Sequence, residues 1–75
     1  MSGLHPLSAR KIIKKFHAAG FYETHQRGSH LYFKHDGRKA VVAVAIHGGK
    51  DIPISLLRTM VVHQAKMTIE EFIGL

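Results

Sequence analysis

Gly28-Ser29-His30-Leu31-Tyr32-Phe33-Lys34 is the stretch from which the fold can be read. Side chains alternate between the two faces of a strand. With Leu31 and Phe33 turned to a core, His30, Tyr32 and Lys34 share the opposite face. Successive members of that row lie roughly 7 Å apart, close to one nucleotide step. A tyrosine ring is a flat surface for an unpaired base. A lysine is a phosphate contact, and an imidazole donates or accepts a proton near neutral pH. Gly28, ahead of the row, permits a tight turn or the close approach of a ligand backbone. From alternation alone, an ordinary antiparallel strand with one solvated face is the commoner meaning of the pattern.

The neighbouring segments extend this strand into a sheet. Phe21 to Gln26 reads as a first strand, with Arg27-Gly28 as its turn. The central strand covers Ser29 to His35. Asp36-Gly37 is a two-residue hairpin signal, since both positions tolerate positive φ. The third strand covers Lys39 to Ile46. A two-residue turn pairs His35 with Arg38, Leu31 with Val42 and His30 with Ala43. Paired residues share a face. Leu31, Phe33, Val42, Val44 and Ile46 then fall together, and His30, Tyr32, Val41, Ala43 and Ala45 fall on the other side. The small Ala43 and Ala45 leave the floor beside His30 shallow and open. The first hairpin is less regular. A turn at Arg27-Gly28 sets His25 opposite His30 and Glu23 opposite Tyr32, but it turns Phe21 outward. A bulge near Gly28 would change this. On this reading His25 is a neighbour of the site and not a member.

Helices flank the meander. Met1 to Leu7 reads as a loose leader. Ser8 suits an N-cap, because its hydroxyl can accept from an amide of the first turn. The helix it opens runs to about Ala19, with Ala9, Ile12, Ile13, Phe16 and Ala19 as the buried stripe. Arg10, Lys11, Lys14, Lys15 and His17 lie off that stripe, as a phosphate-docking face or, more commonly, a solvated one. Gly20 stands where a left-handed C-cap belongs. His47-Gly48-Gly49-Lys50-Asp51 reads as a loop, and Pro53 suits the first turn of a second helix. That helix extends to Gln64 or Ala65 with Leu56, Leu57, Met60 and Val61 as its apolar stripe. Thr68-Ile69-Glu70-Glu71 is a capping box opening a short last helix through Phe72. The order predicts an α+β fold, a two-layer sandwich of an antiparallel three-stranded sheet with helices on one face. Residues 1–75 are expected to make one domain.

Bulk properties narrow the partners. The 75 residues carry 11 Lys and Arg against 5 Asp and Glu, a net charge of +6. So positive a small chain favours nucleic acid first and an acidic protein second. There are no cysteines, so there are no disulfides and no thiolate metal sites, which fits a reducing cytoplasm. No run approaches the ~18 apolar residues of a membrane span, and the start lacks the apolar block of a signal peptide. Membrane partners are not expected. The first helix also has few large apolar residues with which to lie on a lipid surface.

The element order and certain residues together resemble the HicA family, the toxin half of a bacterial toxin–antitoxin pair. The resemblance runs from about Ser8 to Phe72. It is carried by Gly20-Phe21, then Gly28-Ser29-His30 with Phe33 three residues later. It continues through His47-Gly48-Gly49-Lys50-Asp51-Ile52-Pro53, Leu57-Arg58, Gln64-Ala65 and Glu71-Phe72. The resemblance implies a fold like the double-stranded RNA-binding domain, an mRNA-cleaving activity that depends on His30, and an inhibiting partner of the HicB antitoxin type. Two positions depart from the family pattern. A proline common shortly before the histidine that ends the third strand is absent from Val44-Ala45-Ile46-His47. Lys66 stands where a glycine usually follows Gln64-Ala65.

An imidazole suits metal-free RNA cleavage, since a free one titrates near about 6.5 and can take or give the protons of a ribose hydroxyl and its leaving oxygen. Attack by the 2′-OH on its own phosphate needs a base, an acid and stabilisation of charge. His30 is the candidate catalytic residue. Lys34, Lys39 or Arg27 would steady the phosphate, and His25, His47 and Tyr32 remain open as a second proton-transfer group. The candidate RNA-binding set is Arg27, Gly28, Ser29, Tyr32, Lys34, Lys39 and Lys50. His25, His30 and His35 alternate between faces, and no His-Glu-x-x-His helix is present, so neither a metal nor a small-molecule cofactor is expected. The competing functions are a non-catalytic RNA-binding module on the same basic surface and a DNA-binding or antitoxin-like regulator. The regulator is disfavoured because no helix-turn-helix is evident.

Overall fold

Ser8 and Gly20 bracket the first helix as their chemistry dictates. In the computed structural model, which describes residues 3–46 and 48–75, the Ser8 hydroxyl accepts from Lys11 N–H at 3.3 Å. Gly20 has φ +97°. Around it the Gly20 and Phe21 amides donate to the carbonyls of His17 and Phe16 at 3.0 and 2.9 Å, a left-handed cap that satisfies the last turn. The elements follow as β1 (Leu7–Ser8), α1 (Ala9–Ala18), β2 (Tyr22–Arg27), β3 (His30–His35), β4 (Ala40–Ala45), β5 (Asp51–Ile52), α2 (Ile54–Arg58), a π-helical segment (Thr59–Gln64) and α3 (Ile69–Ile73).

The three-stranded antiparallel sheet has the order β2-β3-β4. Ile12 and Phe16 of α1, Leu57 of α2, Met60 and Val61 of the π-helical segment and Phe72 of α3 pack in one cluster with Phe33, Val42 and Val44. The helices therefore cover one sheet face, and the α+β fold with its open sheet agrees with the double-stranded RNA-binding-domain type. The Thr68–Glu71 capping box forms in both directions, with Glu71 N–H donating to the Thr68 hydroxyl and Thr68 N–H to the Glu71 carboxylate.

Details of the hairpins differ from the sequence expectation. The β3–β4 connection spans Asp36 to Lys39, with Lys39 at φ +51°. His35 pairs with Ala40, Leu31 with Val44 and His30 with Ala45. This register is two residues from the expected one. A shift of two keeps every side chain on its face, so the expected division into two faces stands. Only Ile46 leaves the core set, lying exposed beyond the end of β4. In the β2–β3 hairpin the turn is Gly28-Ser29, with Gly28 at φ +57°. The bulge lies at Thr24, between the Glu23 and His25 pairings, and not near Gly28. It reverses the alternation, so that Phe21 turns inward and is buried.

Other corrections concern the edges. Leu7 and Ser8 pair with Ile52 and Asp51, so Leu7 is held in a short ladder and is not part of a loose leader. Pro53 is the extended residue just before α2. Leu56 is exposed while Leu57, Met60 and Val61 are buried. Ala65 N–H donates to Met60 O at 2.8 Å, the longer spacing that makes this end of the helix π. Gln64, at its end, accepts from Ala43 N–H at 3.1 Å and covers the outer edge of β4 there.

His35 is a structural histidine. Its Nδ1 accepts from Arg38 N–H at 3.1 Å, and its ring meets Phe21 edge-on at 5.0 Å. The imidazole also fills the space that a side chain would need at Gly20 or at Gly37. A Cβ on either would lie 3.1 Å from the ring.

Candidate functional site

The outer sheet face is built by rungs. Arg27 stands opposite His30, His25 opposite Tyr32, and Tyr22 opposite Lys34. On the other side Ala45, Ala43 and Val41 pair with His30, Tyr32 and Lys34. Every one of these positions faces away from the helices, because Leu31 and Phe33 between them face inward.

His30 is exposed at the start of β3, the strand with a neighbour on each side. Its surroundings are small on the β4 side, where Ala43 and Ala45 form the floor, and basic on the β2 side, where Arg27 stands. The two-residue turn fixes the Arg27–His30 pair, and Ile46 N–H anchors that turn by donating to Ser29 O at 2.7 Å. Among the described residues, no position of these outer rungs is acidic from Arg27–His30–Ala45 to Tyr22–Lys34–Val41, and the Asp36 carboxylate of the following turn reaches only the last of them, at Tyr22 and Lys34. Glu23 pairs with Phe33 on the helix side, 3.6 Å from His17. The sheet face around His30 therefore presents net positive charge to a polyanion.

Tyr32 is the flat surface next along the strand. One side of its ring is covered by His25, the rings parallel within 3° and 4.5 Å apart. Its other neighbour is the small Ala43. The Thr24 hydroxyl, on the bulge, donates to Tyr32 O at 3.3 Å and contacts His25 Nδ1 at 3.1 Å. Lys34 follows, 3.9 Å from Asp36. The same carboxylate accepts from the Tyr22 hydroxyl at 3.0 Å, a bond that pushes the Tyr22 phenol above its ordinary range.

The candidate binding residues thus divide. Arg27, Gly28, Ser29, Tyr32 and Lys34 lie with His30 on or beside the outer face. Lys39 lies in the connection at the opposite end of β3, roughly 17 Å away on the strand rise. Its carbonyl accepts from Lys66 Nζ at 3.3 Å. Lys50 precedes β5 and lines a separate cleft with Ser8, Arg10, Lys11, Ile46 and Gly49. His47 lies outside the described residues. The His25–Tyr32 stack escaped the sequence reading. Its only signal was the discomfort of an outward Phe21, which required an irregularity somewhere in β2.

Among the described residues no three His, Asp or Glu side chains converge as metal ligands would, and no helix is long and apolar enough to cross a membrane.

Comparison with known families agrees with this architecture. The model of the family described as HicA toxin of bacterial toxin–antitoxin matches residues 9–67, the span from α1 through the π-helical segment to Met67. No curated protein matches the chain. The family match covers most of the sequence and includes every outer-face residue described above, and the chain belongs to the HicA family, the toxins of bacterial toxin–antitoxin pairs.

Proposed function

We propose that this toxin is an endoribonuclease that cleaves mRNA at the outer sheet face, with His30 in proton transfer. The observation that carries this reading is the His30 rung. An exposed imidazole faces a guanidinium across the strand and lies beside an aromatic ring, over a floor of two alanines. A single RNA strand laid across this face would stack a base on Tyr32 and set a phosphate against Arg27. His30 would then reach a ribose hydroxyl or the leaving 5′-oxygen. Gly28 and Ser29 let the backbone of the strand approach the turn, and Lys34 continues the cationic path. Lys50 and the cleft beside α1 would meet more distant phosphates. Lys39 is too far along the sheet to serve the same phosphate as His30.

The partner that restrains this activity is an antitoxin of the HicB type. The exposed basic face suits an acidic protein, and covering it would exclude RNA. A toxin acting on mRNA under such an antitoxin would work in the cytoplasm.

The test is cleavage of single-stranded RNA by nuclease-free protein. Wild type should cut. His30→Ala should lose cleavage by roughly 100-fold or more while keeping most of its RNA affinity. A wild-type protein that binds RNA but never cuts it would leave a non-catalytic RNA-binding module. In cells, expression should halt growth, and co-expression of a small acidic protein encoded beside the gene should relieve the arrest.

A further inference from the structure

An in-line displacement at phosphorus brings the entering and leaving oxygens to opposite sides of the phosphate. A single imidazole cannot attend both at once. The outer face holds a second one. His25 and His30 are the diagonal corners of two adjacent rungs, with Arg27 opposite His30 and Tyr32 opposite His25. Diagonal cross-strand positions lie roughly 7 Å apart, room for a phosphate between the rings. Arg27 sits on the same face beside that gap.

The neighbours of His25 are compatible with a tautomer suited to a base. A threonine hydroxyl has one proton. Thr24 gives it to the Tyr32 carbonyl. The contact between Thr24 Oγ1 and His25 Nδ1 at 3.1 Å, whose direction depends on the tautomer, then suits a ring that donates from Nδ1. In that tautomer the neutral imidazole carries its lone pair on Nε2. Stacking on Tyr32 fixes the plane of the ring. The bulge at Thr24 makes both contacts possible, in keeping with the way bulges re-aim side chains beside active sites.

We infer that His25 is the base of the proposed reaction and that His30 is its acid. The assignment rests on the nuclease reading above. His25 Nε2 takes the proton of the 2′-hydroxyl as the O2′–P bond forms. The P–O5′ bond breaks, and the leaving oxygen takes a proton from the His30 imidazolium. The products are a 2′,3′-cyclic phosphate and a 5′-hydroxyl, and the two rings return to their starting states by exchange with water.

The experiment compares wild type, His25→Phe and His30→Ala on an RNA oligomer and on the same oligomer with sulfur replacing the bridging 5′-oxygen at the cleavage site. A thiolate leaves without being protonated, so the sulfur substrate relieves the loss of an acid but not the loss of a base. Phenylalanine keeps a ring against Tyr32 and removes only the proton chemistry. His25→Phe is expected to fall about 100-fold or more on both substrates, whereas His30→Ala should recover on the sulfur substrate alone. Cleavage by His25→Phe within about threefold of wild type overturns the assignment, as does its rescue by sulfur. His25 is exposed on an edge strand, and an unchanged melting temperature is expected. Should His25→Phe fail to fold, His25→Gln reads the same outcomes. A wild-type protein that leaves the normal RNA whole defeats the nuclease reading itself, so the wild-type reaction tells the two failures apart.

Discussion

Arg27 and His30 are the closing pair of the β2–β3 hairpin, directly opposite each other on the exposed side of the sheet. The two-residue turn through Gly28, at φ +57°, leaves them little freedom to separate. A cation and a proton carrier are thereby held together by backbone geometry, without any bond between their side chains.

The pairing predicts which cation meets the phosphate near His30. In a His30→Ala background, expected to bind without cutting, Arg27→Ala should lower the slope of log affinity against log salt by about 0.7, the value of one contact on a single strand. Lys39→Ala should leave this slope unchanged. Equal losses for the two would mean that RNA runs along the sheet to its far end. Filter binding over a salt series distinguishes these outcomes.

Phe33 is the core residue on the same strand as His30 and is fully buried. Phe33→Ala should cost about 3–5 kcal/mol. A chain of this size has a total stability of roughly 4–11 kcal/mol, so the variant should lose a large part of it. Urea denaturation followed by circular dichroism measures it. A loss under about 1 kcal/mol would show that the two layers are not packed as described.

The Glu71 carboxyl is held below its ordinary value of 4.5 by the Thr68 backbone amide first and by the Arg38 guanidinium second. A carboxyl lowered in the folded chain stabilises fully above its unfolded value, and the contribution disappears as pH falls through the folded one. Melting temperatures of wild type and Glu71→Gln, taken from pH 7 down to pH 2.5, should therefore differ most above about pH 5 and converge in acid. A constant gap across the range would refute the capping and ion-pair role.

Lys66 has φ +58°, at a position where the family usually carries glycine. A side chain in the left-handed region costs about 1 kcal/mol or more, partly offset by the greater freedom of glycine when unfolded. Lys66→Gly should gain about 0.5 kcal/mol, despite losing the exposed bond to Lys39 O. Chemical denaturation side by side with wild type is the check, and a destabilised variant would contradict the conformation.

Much of the architecture could be read from side-chain period. Leu31 and Phe33 against Val42 and Val44 determined which sheet face is buried, and that parity survived a two-residue error in register. The error came from Asp36-Gly37, a dipeptide suited to a two-residue turn, where the chain instead makes a longer connection with Lys39 left-handed. No local rule announces a lysine at positive φ. The Thr24 bulge was sensed through Phe21 but misplaced, because glycine marks a bulge more loudly than threonine does. His25 therefore changed standing, from a neighbour opposite His30 to the partner of Tyr32. Lys39 and Lys50 matched the expected charge but not the expected place, since a cation in a loop carries no signal of where the loop ends. Leu56 and Leu57 show the same limit on a helix, where adjacent leucines compete for one stripe and only packing decides between them.

The wedge of His35 between Gly20 and Gly37 ties the cap of the first helix to the turn after β3. Two bends far apart in the chain thus share one small volume. In a library randomised at all three positions, the survivors should be correlated. Larger residues at position 37 should appear only where position 35 has shrunk, whereas position 20 should stay glycine even then, because its φ forbids the alternative.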